Sequence, residues 1–265
     1  MKIIDDHCHL DFSSRHLENE EKGRVATYED LDNLIKQNKK DGVVAIVSNG
    51  THYESNLNVL ELIKKHDIVR AALGLHPNYV KDVDEKAFDK IIELVKKNKD
   101  KIVALGEVGL DNKYPENKDK ERQKKYFAEF LELAEKLKKP VIVHSRQAEL
   151  ETIEIIEEYK VKNVVMHYFA GRQHLVKRIL KNGWTLSIPT NVVRLQQLQD
   201  NVMIADISQI TTETDGPFLS PHKDIQVNEP RFIIESLRKI AEIKKISVEE
   251  ASEQIYKNYK RIYEK

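Results

Sequence analysis

Two histidines separated by one residue, His7 and His9, follow the first apolar run of the chain. Residues two apart in an extended strand point to the same face, so both imidazoles would face one side and Cys8 the other. Such a pair can chelate a metal ion, although two hydrogen-bonded core histidines would have the same spacing. Cys8 is the single cysteine, which excludes an internal disulfide and a zinc site with two cysteine ligands. We interpret it as a small buried hydrophobe.

Side chains that commonly bind metals also stand at the ends of five later apolar runs. They are His76, Glu107, His144, His167 and Asp215. Each one alone is compatible with an ordinary structural role, as a core histidine, a charged residue beside a turn or an aspartate that opens a turn. A centre of two divalent metal ions accounts for six residues at once, and we predict that its ligands are His7, His9, Glu107, His144, His167 and Asp215.

The expected chemistry of this centre is metal-assisted hydrolysis. Mixed imidazole and carboxylate ligands suit zinc, manganese, cobalt or nickel, with magnesium also a candidate, and the lack of sulfur argues against copper(I) or an iron–sulfur cluster. Two ions would activate a water by lowering its pKa toward about 7 and would polarise a phosphoryl oxygen. A carboxylate at Glu107 can bridge two ions, and Asp215 is expected to bind one ion and accept the proton of the water.

Other polar residues are assigned more general roles. His76 and Arg146 are expected to contact the substrate, although His76 could instead shape the turn at Pro77. Loop residues that are compatible with either substrate contact or an ordinary surface role are His52, Asn191 and His222. Histidines expected at the surface, away from the centre, are His16, His66 and His174.

The elements that must position these residues follow a simple alternation. Eight short apolar, β-branched runs predict strands at 3–6, 43–48, 69–74, 102–107, 141–144, 164–167, 185–188 and 210–215. Segments with helical periodicity lie between and after them, at 28–39, 54–66, 85–97, 119–138, 148–159, 172–181, 192–201, 228–243 and 248–263. Ser247 and Glu250 form a predicted capping box at the start of the last one.

Eight repeats of strand and helix in 265 residues are typical of a (β/α)8 TIM barrel of the metal-dependent hydrolase type. In such barrels the active site lies at the carboxyl ends of the strands, where the predicted ligands stand. An open doubly wound sheet is the alternative, but no G-x-G-x-x-G turn follows the first strand. We expect one domain over residues 1–265.

Composition restricts the partners. The 44 Lys and Arg residues equal the 44 Asp and Glu residues, so no global field attracts nucleic acid or anionic lipid, and a polyanion must be held by a local site. The apolar runs are far shorter than the ~20 residues of a membrane span, and the first residues lack the features of a signal peptide. A cytoplasmic protein with no membrane contact and no obligate protein partner is therefore expected.

At these residues the sequence resembles the TatD family of metal-dependent hydrolases and deoxyribonucleases. The matching motifs run along the whole chain as Asp6-His7-Cys8-His9-Leu10-Asp11, Gly74-Leu75-His76-Pro77, Gly106-Glu107-Val108-Gly109-Leu110-Asp111, Val143-His144-Ser145-Arg146, His167-Tyr168-Phe169-Ala170-Gly171, Thr212-Glu213-Thr214-Asp215-Gly216-Pro217 and Asn228-Glu229-Pro230. The resemblance implies that one ion is held by His7, His9, Glu107 and Asp215, and the second by Glu107, His144 and His167. It also implies phosphodiester cleavage, often of DNA from the 3′ end, so DNA is the expected substrate.

Three positions depart from the family pattern. Asn78 stands where a second histidine is usual, Gln147 where an aspartate is usual, and Val227 where an arginine usually precedes Asn228. An arginine fork is a natural partner of a phosphate, and Val227 supplies none. Residues that could compensate are Arg146, Arg172, Arg194 and Lys223. Two alternatives to a nuclease stay open: a hydrolase of the same architecture that acts on an ester, lactone, amide or aminoacyl-tRNA bond, and a non-catalytic metal-binding protein.

Overall fold

The computed structural model of the protein describes residues 1–11, 28–113, 119–222 and 227–264. Within these ranges the strands are β1 Ile3–Cys8, β2 Val43–Asn49, β3 Val69–Leu73, β4 Ile102–Asp111, β5 Val141–Arg146, β6 Val164–Met166, β7 Thr185–Pro189 and β8 Ile210–Glu213. All eight belong to one parallel sheet, in which each strand pairs with its sequence neighbours from β1 to β8. The predicted (β/α)8 barrel is confirmed.

The barrel closes at a seam between β1 and β8. The backbone N–H of Asp215 donates to the His7 carbonyl oxygen at 2.9 Å, and the N–H of His9 donates to the Gly216 carbonyl oxygen at 2.7 Å. Deeper in the seam, the hydroxyl of Thr212 donates to the Ile4 carbonyl oxygen at 2.7 Å. Three predicted metal ligands therefore lie at the closure of the barrel.

The helices surround the sheet. In the described part of the chain they are α1 Tyr28–Lys40, α2 Tyr53–Lys65, α3 Glu85–Lys97, α4 Lys120–Leu137, α5 Glu149–Glu157, α6 Gln173–Lys181, α7 Gln196–Ile204, α8 Ile233–Lys244 and α9 Val248–Tyr263, with short 3₁₀ turns at Pro77–Asp82, Thr190–Val193, Ile207–Gln209 and Pro230–Phe232. The capping box of Ser247 and Glu250 at the start of α9 is confirmed. Among the described residues, none of the helices is long and apolar enough to cross a membrane.

Two predicted helices are wrong in extent. The helix expected at 192–201 is divided into a 3₁₀ turn and α7, because Leu195 between them has an extended backbone that a helix cannot continue through. The helix expected at 228–243 begins only at Ile233 as α8. Asn228 is buried in the loop before it, where its side-chain amide donates to Thr190 and to the Thr214 carbonyl oxygen, both at 2.8 Å. That bonding holds the segment in a loop.

Strand ends also differ from the predicted ones. β4 continues to Asp111 and β5 to Arg146, so Glu107 and His144 lie within strands rather than at their last residue. In contrast, β6 and β8 end before His167 and Asp215. Tyr168 and Asp215 have left-handed backbones, with φ of 38° and 55°, and this conformation cannot continue a strand.

The amino ends of the strands enclose an apolar core inside the barrel. The C-terminal part of α9 contributes Tyr259, Ile262 and Tyr263 to it. Residues of the first six strands that complete this cluster are Ile4, Ala45, Val47, Ala72, Ala104, Ile142 and Val165. A larger apolar layer lies between the sheet and the helices. The barrel interior is thus filled at this end, which leaves the carboxyl ends of the strands as the open mouth.

Candidate metal centre

Four ligand atoms from β1, β4 and the β8 loop meet at the mouth of the barrel. His7 Nε2 lies 3.4 Å from Glu107 Oε2 and 3.5 Å from Asp215 Oδ1. His9 Nε2 lies 3.4 Å from each of the same two oxygens. Ligands at about 2.0–2.1 Å from a tetrahedral zinc ion are separated by about 3.3–3.4 Å from one another. The four atoms are therefore spaced as the ligands of one ion would be.

The hydrogen bonding of His7 and His9 is also compatible with metal binding. His7 is buried, and within the described residues neither of its ring nitrogens makes a hydrogen bond. A buried polar atom without a partner is costly, and a cation would supply that partner. The Nδ1–H of His9 donates to the Asn49 carbonyl oxygen at 3.0 Å. When His9 is neutral, the lone pair of its Nε2 is then available to a cation between the two carboxylates.

The other carboxylate oxygen of Glu107 lies close to a second group of histidines. Its Oε1 lies 2.7 Å from His144 Nδ1, 3.6 Å from His76 Nε2 and 3.8 Å from His167 Nε2. Its Oε2 belongs to the His7 and His9 group. One carboxylate thus connects two clusters of imidazoles, an arrangement that can bridge two cations.

His167 lies between the two groups. Its ring stacks on that of His7 with centroids 3.7 Å apart, and its Nε2 is 4.0 Å from Asp215 Oδ1. The Nδ1–H donates to Glu213 Oε2 at 2.9 Å. Because Glu213 accepts a hydrogen bond from Nδ1–H, the lone pair of a neutral His167 lies on Nε2 and is directed into the cluster.

His144 is oriented by a carboxylate that is itself held by an arginine. Its Nε2 lies 2.9 Å from Asp111 Oδ2. The same oxygen accepts from Nε and Nη2 of Arg146 at 2.9 and 2.7 Å. With Nε2–H on Asp111, His144 presents Nδ1 to Glu107. Arg146, expected to contact substrate, therefore also orients a predicted ligand.

His76 is bonded differently from the predicted ligands. Its Nδ1 accepts a hydrogen bond from the backbone N–H of Asn78 at 3.1 Å. Burial keeps the pKa of His76 well below its usual value, so the ring is neutral and must carry its proton on Nε2. The Nε2–H is a donor that points toward Glu107. His76 lies near enough to join the second group, but its tautomer suits a donor to substrate better than a metal ligand.

The charges of the cluster are strongly coupled. Burial alone would raise the pKa of Glu107 and Asp215, but the surrounding histidines hold both pKa values well below the usual range. Burial lowers the pKa of His9 and His144, yet their carboxylate partners outweigh it and raise the two pKa values to about 10 and about 9. Without a cation, imidazolium ions therefore balance the carboxylates.

Sequence reasoning missed three carboxylates that support the predicted ligands. Asp111 and Glu213 fix the orientation of His144 and His167, and both stand inside the quoted motifs. The third, Asp5, accepts from the backbone N–H and the hydroxyl of Thr214, at 3.0 and 2.6 Å, across the seam. Their signal in the sequence was that each carboxylate stands within four residues of a predicted ligand. Their partners could not be read from it, because the contacts join strands that are distant in sequence.

The expected alternation of side chains along β1 is corrected. The alternation of β1 is interrupted by a register shift between Asp5 and Cys8. Asp6, next to His7, therefore also lies inside the barrel, where its carboxylate accepts from Ser187. Gly109, two residues after Glu107, accommodates β5 through its φ of 139° and its lack of a side chain, since a Cβ there would overlap the His144 carbonyl oxygen.

A cleft of about 380 Å³ opens over the cluster, lined in part by Arg146, Asn78 and Lys113. Among the other expected residues, Asn191 donates to the Tyr168 hydroxyl at 3.2 Å and His52 stacks on Tyr79.

Several further positions have roles outside the cleft or remain undescribed. Arg194 donates to the Ser220 carbonyl oxygen, and Val227 is exposed. His174, Arg172 and His222 are exposed, as expected for His174. His66, expected at the surface, is largely covered beside Asp32, because it ends α2 against α1. His16 and Lys223 lie outside the described residues.

Comparison with known proteins gives a consistent result. The family model described as TatD related DNase matches residues 4–264. An uncharacterized metal-dependent hydrolase of Methanocaldococcus jannaschii is 38% identical over 258 residues, which cover 97% of this chain and 95% of that protein. The human protein named deoxyribonuclease TATDN3 is 32% identical, with 99% and 95% covered. The crystal structure of a hydrolase of the TatD family from Entamoeba histolytica has the same fold, with a TM-score of 0.88, 23% identity and coverage of 100% and 98%.

Proposed function

The chain belongs to the TatD family of metal-dependent hydrolases, and from that membership we propose that it is a deoxyribonuclease that removes nucleotides from the 3′ end of DNA. The observation that carries the proposal is the division of Glu107 between two clusters of imidazoles, because two adjacent cations suit in-line displacement at phosphorus. The relatives named deoxyribonuclease support the choice of DNA.

Each residue of the centre has a proposed place. One cation would be held by His7, His9, Glu107 and Asp215, and a second by Glu107, His144 and His167. The cations would supply an activated water and neutralise charge that develops on the phosphoryl group. Zinc, manganese and magnesium are the candidates.

Asp215 is the proposed general base. It is a carboxylate at neutral pH because His167, His7 and His9 hold its pKa low despite burial. Its left-handed backbone turns it away from β8, and its N–H is bonded across the seam to His7. The side chain is therefore fixed beside two imidazoles, where it can take the proton of the attacking water.

The other polar residues bind and orient. His76, whose Nε2–H points toward Glu107, would donate that proton in a hydrogen bond to a phosphoryl oxygen of the substrate, and Asp111 keeps His144 in one orientation. Arg146 holds Asp111 and also reaches the cleft, so it neutralises a neighbouring phosphate in place of the arginine that Val227 does not supply.

Chelation followed by metal return tests the proposal. The purified protein is analysed for bound metal and assayed on an end-labelled single-stranded oligonucleotide before chelation, after it, and after zinc, manganese or magnesium is added back. Loss of cleavage on chelation and recovery with a divalent ion are expected. Full cleavage with metal shown to be absent would contradict a metal-dependent mechanism.

The bond that is attacked is tested separately, with a nitrophenyl phosphodiester and a nitrophenyl carboxylic ester as paired substrates. The proposal expects hydrolysis of the phosphodiester to exceed that of the ester at the same metal content. The reverse preference would favour the ester-type alternative, and tightly bound metal with no turnover on any substrate would favour a binding protein.

A further inference from the structure

The cleft over the metal cluster has two chemically different sides. On the β8 and β1 side its wall is formed by Phe218 and Leu219, both partly buried. On the β4 and β5 side the wall carries the charged groups of Lys113, Glu149 and Arg146, the last of which is paired with Asp111 beneath it. Because the strands follow one another around the barrel from β1 to β8, these two sides are half a turn apart. The cluster lies between an apolar aromatic wall and a charged one.

Phe218 is fixed close to the predicted ligands. Its backbone N–H donates to the Asp215 carbonyl oxygen at 2.9 Å, which closes a tight turn after the strand. Its ring centroid lies 6.5 Å from that of His9, with the planes at 65°. The ring is thus held beside the metal cluster by the same turn that positions Asp215.

Tyr168 adds a second ring to the lining of the cleft, after β6. Its hydroxyl accepts from Asn191, and its backbone N–H donates to Glu213 Oε1 at 3.1 Å. The ring is therefore held at both ends, and little conformational entropy is lost when a flat ligand stacks on it. None of these contacts serves the proposed metal chemistry directly.

We propose that Phe218 and Tyr168 form a nucleobase subsite, in which the base next to the scissile phosphate stacks while Lys113 and Arg146 face the adjoining phosphate. The inference rests on the proposed deoxyribonuclease function and assigns a role in substrate binding to two rings outside the proposed metal ligands. A base can enter such a subsite only after it leaves a duplex stack, so the substrate must present an unpaired, base-bearing nucleotide at the cleavage position.

The test compares two single-stranded oligonucleotides that differ only at the nucleotide next to the scissile bond, which carries either a thymine or a tetrahydrofuran abasic residue. Phe218→Leu keeps an apolar side chain but removes the aromatic face, and Phe218→Tyr restores the face. For Phe218→Leu we expect kcat/KM to fall about 10-fold on the thymine strand, with a much smaller change on the abasic strand, because stacking on a base is lost. Phe218→Tyr should recover most of the loss, and Tyr168→Leu should show the same selectivity.

Tyr256→Ala is the matched control, because Tyr256 lies on α9 against Lys2, outside the cleft lining. It should change neither rate. Bound metal per chain is measured for every variant. Equal losses on the two strands, or a wild type that cleaves both strands equally well, would overturn the nucleobase subsite while leaving the nuclease proposal intact. A metal-loaded wild type that cleaves neither strand would overturn the nuclease proposal and the subsite with it.

Discussion

The two ends of the barrel interior are built from opposite kinds of side chain. At the amino ends of the strands, aliphatic residues pack against Tyr259, Ile262 and Tyr263 of α9. At the carboxyl ends, buried imidazoles and carboxylates face one another, and His7 has no hydrogen bond from the described residues to its ring. The first end lowers the free energy of the fold by itself, whereas the second is the end at which we propose that cations bind. Stability and chemistry are therefore assigned to different ends of one barrel.

The largest effect expected at the mouth follows from Glu107→Ala. This change removes the only carboxylate of the described cluster whose two oxygens serve both groups, so turnover should fall on the order of 10⁴-fold, as it does for catalytic groups that act as a unit. His76→Ala should cost far less, since it removes one donor. Turnover at saturating metal, with bound metal per chain, is the measurement. If His76→Ala proved equally damaging with full metal content, the ranking would be wrong and His76 would be catalytic.

Asp215→Asn separates two functions of one side chain. The amide keeps the shape and an oxygen ligand but cannot accept a proton, so kcat should fall by about 10² to 10⁴-fold with KM much less affected. Metal is titrated into the variant during the assay. A ligand-only role would instead appear as weakened metal binding, and near wild-type turnover at saturating metal would exclude Asp215 as the base.

The apolar end is probed by Ile262→Ala on α9. Ile262 is 2% exposed, and its truncation should lower the free energy of unfolding by about 2–5 kcal/mol through lost burial and the cavity that remains. Urea denaturation measures the loss, with Met203→Ala as a control at a site that is 64% exposed. Bound metal and kcat should stay unchanged at temperatures where the variant is folded. A fall in metal content would show that the two ends are coupled.

The smallest effect is a difference in pH dependence between the metal-free and metal-loaded protein. In the metal-free cluster the pKa values of His9 and His144 are raised to about 10 and about 9, above the value near 6.5 of unfolded chains. Between these values the folded state holds more protons than the unfolded state, so its stability falls as the pH rises from about 7 to 10.

Urea denaturation at pH 7 and pH 9 measures this slope. The metal-loaded protein should lack this contribution, because bound metal replaces the protons. Ile262→Ala should keep the slope of the metal-free wild type, since an aliphatic truncation carries no proton. A metal-free protein that is more stable at pH 9 than at pH 7 would contradict the assigned protonation.

Much of the candidate site could be predicted from residue order. The His-x-His pair and the ligand-type residues at run ends were recognisable because strand ends of a (β/α)8 barrel converge at one mouth. Glu107 as a residue shared by two groups was expected from the resemblance to the TatD family, and the structure brings its two oxygens to separate imidazoles. The metal roles of these residues stay predictions until an ion is measured.

The supporting contacts could not be predicted in the same way. Glu213 lies two residues before the predicted ligand Asp215 in sequence, yet its partner is His167, which follows β6, two strands away from β8 in the sheet. The register shift in β1 placed Asp6 inside the barrel against simple alternation. The contacts depend on strand register and closure, which no short stretch of sequence contains.

The sequence by itself determined the kinds of side chain at the strand ends and the order in which the barrel presents them. Only the tertiary structure decided which atom of each side chain faces the cluster. The physical reason is that a neutral imidazole has a lone pair on only one ring nitrogen. The hydrogen-bond partner of the other nitrogen decides which one that is. The Nδ1–H groups of His9 and His167 donate to the Asn49 carbonyl oxygen and to Glu213. The backbone N–H of Asn78 instead donates to Nδ1 of His76, so His76 keeps its proton on Nε2 and is a donor there.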